Sequence, residues 1–78
     1  MRGIIVNAVW DKDACVWVAT SDDVPGLITE AETAELLEQK LCVMIPELLI
    51  ENGVISSSEH KEIPFHLRAE RDYLAKAC

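Results

Sequence analysis

A chain of 78 residues, half of them apolar and with a net charge of −7, has room for one domain, since ordinary domains run to roughly 100–150 residues. A mean hydropathy of +0.13 argues against intrinsic disorder. No uncharged run approaches the ~20 residues of a membrane helix, and no basic-then-apolar leader opens the chain, so the expected location is the cytoplasm with no membrane partner.

The charge is unevenly placed. Residues 21–51 carry the carboxylates Asp22, Asp23, Glu30, Glu32, Glu35, Glu38, Glu47 and Glu51 against one base, Lys40. From Glu59 to Cys78 acids and bases balance, so the whole net charge belongs to one stretch. Phosphate contacts need a basic patch, which makes direct nucleic-acid binding by this chain a poor expectation. An acidic stretch instead attracts a basic protein, although it also serves as a solubilising surface. Three cysteines, Cys15, Cys42 and Cys78, have no metal-type spacing; an odd count in a leaderless chain fits reduced thiols. Cys15 and Cys42 lie among apolar neighbours and are expected to be small buried hydrophobes. His60 and His66 are isolated, so no zinc ligand set is expected.

In chain order, residues 3–10 are rich in β-branched and aromatic types and predict a strand. Asp11-Lys12-Asp13 has turn chemistry, and residues 14–20 predict the returning strand of a hairpin. Both strands are apolar at odd and even positions alike, so period cannot assign their faces. Val24-Pro25-Gly26 predicts a turn in which Pro25 fixes φ and Gly26 accepts positive φ. Leu27–Glu30 then reads as a short third strand.

Thr33 is a candidate N-cap, with Glu35 in the first turn suiting the helix dipole. Leu37, Leu41, Ile45, Leu48 and Leu49 recur at helical spacing, and Asn52-Gly53 supplies the stop. Pro46 lacks the N–H that would bond the Cys42 carbonyl. It predicts either a kink or a second helix opening there. After a polar connector over 55–61, residues 62–74 alternate. Ile63, Phe65, Leu67, Ala69 and Tyr73 fall on one side, and His66, Arg68, Glu70 and Asp72 on the other. Only Arg71 breaks the apolar set of this one-side-buried strand. The fold class is α+β in the order β-β-β-α-β, with one helix packed on one face of the sheet.

The run Val24-Pro25-Gly26-Leu27-Ile28-Thr29-Glu30-Ala31-Glu32-Thr33, entering the helical stretch Ala34-Glu35-Leu36-Leu37-Glu38, resembles the HicB-like antitoxins. So do the hairpin Val9-Trp10-Asp11 with Val16-Trp17-Val18-Ala19-Thr20, and the late Ile63-Pro64-Phe65-His66-Leu67. The likeness is to a short HicB-related subgroup without a DNA-binding domain. It covers nearly the whole chain. It implies a truncated ribonuclease H-like sheet and a single HicB-like domain over 1–78. It also implies a non-catalytic role, binding and silencing a small basic HicA-like ribonuclease toxin. The helix-turn-helix or ribbon-helix-helix that many relatives carry is not expected on this polypeptide.

A ribonuclease H-like shape raises a nuclease alternative with Asp11, Asp13, Asp22 and Asp23 collecting Mg²⁺. These acids stand in turns, where Asp is favoured for bonding nearby backbone, and neither Cys nor Ser sits in a nucleophile elbow. No catalytic, cofactor or metal residues are therefore expected. Trp10 and Trp17 are expected to be cross-strand partners rather than base-stacking platforms. The expected partner surface is acidic, with Asp22, Asp23, Glu30 and Glu32 nearest the Pro25-Gly26 turn and apolar anchors supplying most affinity. The alternative is a stand-alone, self-associating structural protein with no toxin. A strand over 62–74 would run about 40 Å and overshoot a compact unit ~30 Å across. That predicts a homodimer in which Tyr73 and Leu74 meet Val43 or Ile50 of the neighbour.

Overall fold

The computed structural model describes residues 3–56 and 62–77; Cys78 and His60 fall outside them. Strands β1 (Ile4–Asp11) and β2 (Val16–Thr20) form the expected hairpin, paired antiparallel from Asn7 opposite Thr20 to Asp11 opposite Val16. Its turn takes in residues 12–15, further along than composition indicated. The Asp11 carboxylate accepts the N–H groups of Asp13 and Ala14 at 3.0 and 3.2 Å, and Cys15 closes the loop in the left-handed region at φ 57°. Strand β3 (Ile28–Ala31) pairs antiparallel with β2. The Leu27 N–H donates to the Val24 carbonyl at 3.1 Å and Gly26 has φ +84°. This is the type II turn that Pro25-Gly26 predicts.

Helix α1 (Ala34–Glu51) starts at its predicted cap, the Leu36 N–H donating to Thr33 Oγ1 at 3.1 Å. It ends at Asn52, followed by Gly53 at φ +73° and a Val54 N–H bond back to the Leu49 carbonyl. The helix runs unbroken through Pro46, so no second helix opens there. Leu37, Leu41, Ile45 and Leu49 form its buried stripe. Strand β4 (Phe65–Glu70) lies parallel to β1, with Ile4 opposite Phe65 and Val9 opposite Glu70. Pro64 lacks the donor a ladder needs, and the strand starts just after it.

The sheet order is β3-β2-β1-β4, which completes the expected β-β-β-α-β, α+β architecture. Ile4, Val6, Ala8, Ala19 and Ala31 meet the helical stripe, joined by Val24 and Leu27 from the turn region. The opposite sheet face carries Ile5, Val9, Val18 and Ile28 in the same registers. That explains the missing period in β1 and β2: apolar side chains stand on both faces, and one helix covers only one. Past Glu70 the chain continues as an arm over residues 71–77 without strand pairing. The molecule measures 58 × 22 × 19 Å with a radius of gyration of 14.7 Å, against about 11–12 Å for a compact chain of this length.

Two expectations need correction. Cys15 and Cys42 are both exposed. Apolar neighbours in sequence misled, because in a helix the residue after Leu41 points about 100° away from the buried stripe, and Cys15 belongs to the hairpin loop. The last strand covers 65–70 rather than 62–74: β1 starts at Ile4 opposite Phe65, just after Pro64, and pairing ends at Glu70, where Arg71 turns its guanidinium onto Trp10.

Candidate partner-binding site

A groove of about 790 Å³ runs between the outer edge of β3 and the first half of α1. Its apolar lining is Val16, Ala31, Leu36, Val43 and Met44, and its polar lining is Glu30, Glu32, Gln39 and Lys40. Two features of the sequence create it. Glu30-Ala31-Glu32 alternates, so the small Ala31 turns into the core while its acidic neighbours stay exposed. The helical positions Leu36 and Val43 share a row about 100° around the helix from Leu37, off the buried Leu37–Leu41–Ile45 stripe, and are 46% and 59% exposed. Lys40 Nζ donates to the Glu30 carbonyl at 2.6 Å. That bond ties the one base of the acidic stretch to the strand edge.

The structure thus brings Glu30 and Glu32 together beside an apolar floor and leaves Asp22 and Asp23 elsewhere. Asp23 has structural work: its Oδ2 accepts the Ile5 N–H at 2.8 Å, while Ser21 Oγ donates to the Ile5 carbonyl at 2.5 Å. The Asp23 N–H in turn donates to Ser21 Oγ at 3.1 Å. These side chains carry the β1–β2 ladder past the end of β2. Pro25 and Gly26 hold the turn next to the helix C-terminus, where Asn52 Nδ2 donates to the Pro25 carbonyl at 3.0 Å.

The acids of the nuclease alternative do not converge. Asp11 and Asp13 stand at one end of β1 and Asp22 and Asp23 at the other, about 20 Å apart at 3.3 Å per residue. Among the described residues no group of three His, Cys, Asp or Glu side chains is placed to hold a metal ion, and no side chain that is polar or charged is buried. No helix among them is long and apolar enough to cross a membrane.

Trp10 and Trp17 are cross-strand partners, as expected, edge to face with ring centroids 5.5 Å apart. The sequence did not reveal what lies over them. The Arg71 guanidinium sits 3.9 Å from the Trp10 ring centre and 4.8 Å from that of Tyr73. The only signal was Arg71 itself, a cation in an apolar register. Of the predicted dimer residues, Tyr73 and Leu74 are 74% and 95% exposed on the arm beyond β4. Val43 lines the groove at the β3 edge, the far side of the sheet, and Ile50 is exposed in the last turn of α1.

A family described as a domain of unknown function, DUF1902, matches residues 3–76. Among solved structures, the chain is similar to the hypothetical protein TTHA1013 from the extremely thermophilic bacterium Thermus thermophilus. The two are 53% identical, over 97% of this chain and all of that one, with a TM-score of 0.69. No curated protein matches. With nearly its whole length matched, the chain belongs to the DUF1902 family.

Proposed function

We propose that this protein is a non-catalytic, HicB-like antitoxin-type module that binds and neutralises a small basic ribonuclease toxin through the β3–α1 groove. The observation that carries this reading is the composition of the groove: exposed Leu36 and Val43 on its floor, Glu30 and Glu32 on its rim. Apolar anchors in a pocket supply most of the affinity of a protein interface, and rim charges speed encounter and select the sign of the partner. Lys40 is held against the Glu30 carbonyl, where it closes a backbone acceptor at the sheet edge. The resemblance in the strand and helix entry supports the same region, since Glu30, Ala31, Glu32 and Leu36 of that run line the groove.

The test starts from the genes beside this one, where the reading expects one for a small basic protein. Its RNA cleavage is measured as the purified chain is added, beside Val43→Asp and a Glu30→Ala/Glu32→Ala variant. Stoichiometric inhibition by the native chain is expected. Val43→Asp loses that inhibition, and the double variant retains it at a lower association rate. No inhibition, equal inhibition by Val43→Asp, or the lack of any such neighbouring gene overturns the reading.

A further inference from the structure

β4 is the outer strand of the sheet, and its free edge continues into an arm that has no strand pairing among the described residues. Exposed strand edges are normally blunted or covered, because unpaired N–H and C=O groups template further pairing. Here the side chains along that edge form a pattern complementary to itself. His66, Arg68 and Glu70 stand in register with Ile5, Asn7 and Val9, on the face away from α1, and the alternation carried on along the arm adds Asp72, giving two bases followed by two acids. On the helix side they read Phe65, Leu67, Ala69, Arg71, Tyr73. Both sets are centred on Ala69.

We infer that β4 and its arm pair antiparallel with the same segment of a second copy, about a two-fold axis through Ala69, joining two four-stranded sheets into one of eight. In that register Arg68 faces Glu70 of the partner subunit. His66 likewise meets Asp72 of the partner subunit, Phe65 meets Tyr73 of the partner subunit, and Leu67 meets the aliphatic stem of Arg71 of the partner subunit, whose guanidinium lies over its own Trp10. Each contact occurs twice by symmetry. Opposite charges and aromatic pairs directly across an antiparallel ladder are the favourable cross-strand combinations. A shift of the axis by one residue would destroy the match, since Arg68 or Glu70 would then stand opposite its own copy, like charge against like. The pairing runs from Phe65 to Tyr73 in each chain, roughly 30 Å of ladder, and stops short of Pro64, which lacks a donor. It involves none of the groove residues, so it stands independently of the toxin reading.

Light scattering and sedimentation on the full chain test it, with Arg68→Glu, Glu70→Arg and the double exchange Arg68→Glu/Glu70→Arg, each checked for native circular dichroism. Arg68 and Glu70 are exposed, so all three variants are expected to fold. The native chain is expected to be a dimer at ~100 μM. Each single exchange sets like charges opposite twice per dimer and raises the dissociation constant about tenfold or more. The double exchange restores complementarity and returns it to within about threefold of native. A monomeric native chain overturns the inference. So does a dimer that the single exchanges leave unchanged, or a double exchange no tighter than the singles.

Discussion

The Asp23 carboxylate holds the Ile5 N–H at 2.8 Å, so an acid from the charged stretch finishes a β ladder. Asp23→Ala is therefore expected to cost about 1–2 kcal/mol, the range for a lost charge-assisted bond to backbone. Asp22, with no bond of this kind to β1, should change stability by no more than ~0.5 kcal/mol when replaced by Ala. Urea midpoints compare the two. Equal midpoints would show that Asp23 is only a surface charge.

Gly26→Val should destabilise more than either. Gly26 has φ +84°, and a Cβ built there would lie 3.8 Å from Leu48 Cδ2, an ordinary contact. Space is adequate, so the cost comes from backbone conformation, about 1–3 kcal/mol for a β-branched residue. Gly26→Ala separates the two causes. It should lose about 1 kcal/mol, whereas a wild-type midpoint for Gly26→Ala would refute the strain argument.

Cys15 presents the opposite case, a side chain where glycine belongs. At φ 57° its Cβ crowds the following carbonyl, and its main compensation is a weak Sγ contact to the Lys12 carbonyl at 3.6 Å. Cys15→Gly should raise stability by about 0.5–1 kcal/mol, less the entropy glycine adds to the unfolded chain. Cys15→Val should lower it. A Cys15→Gly variant that melts below the native chain would mean that the thiol contact outweighs the strain.

Legibility followed the range of the interaction. The Thr33 cap, the Asn52-Gly53 stop, the Pro25-Gly26 turn and the Leu37–Leu41–Ile45 stripe are local devices whose partners lie within a few residues, and each was readable. The placement of β4 beside β1 was not, because a parallel neighbour is chosen by the crossover of α1 and leaves no local mark. The groove was half legible: Glu30 and Glu32 stood out by charge, but Leu36 and Val43 looked like ordinary helix residues until the helix rotation placed them off the core. Arg71 looked like an error in an apolar register, and the structure turns it into a cation–π contact with Trp10. The structural bond of Asp23 was not legible either, since its partner Ile5 is 18 residues away.

Pro46 offers the sharpest test of how tertiary packing overrides propensity. It stands inside α1, thirteen residues into the 18-residue helix, where proline normally costs about 3 kcal/mol relative to alanine. The helix is nevertheless continuous, with Leu41, Ile45 and Leu49 buried on either side of it. Burial of that stripe outweighs the lost bond to the Cys42 carbonyl, and Cys42 is exposed, which lets water serve the orphaned acceptor. Pro46→Ala restores the donor and removes the ring clash, against a smaller loss from the half-buried ring and a freer unfolded chain. We expect a net gain of about 1–2 kcal/mol by urea denaturation, with unchanged helical circular dichroism. Pro46→Gly restores the same donor with roughly 1 kcal/mol poorer helix propensity, so it should fall below Pro46→Ala by that amount. If Pro46→Ala unfolds at lower urea than the native chain, the proline ring contributes more by packing than it removes from the helix.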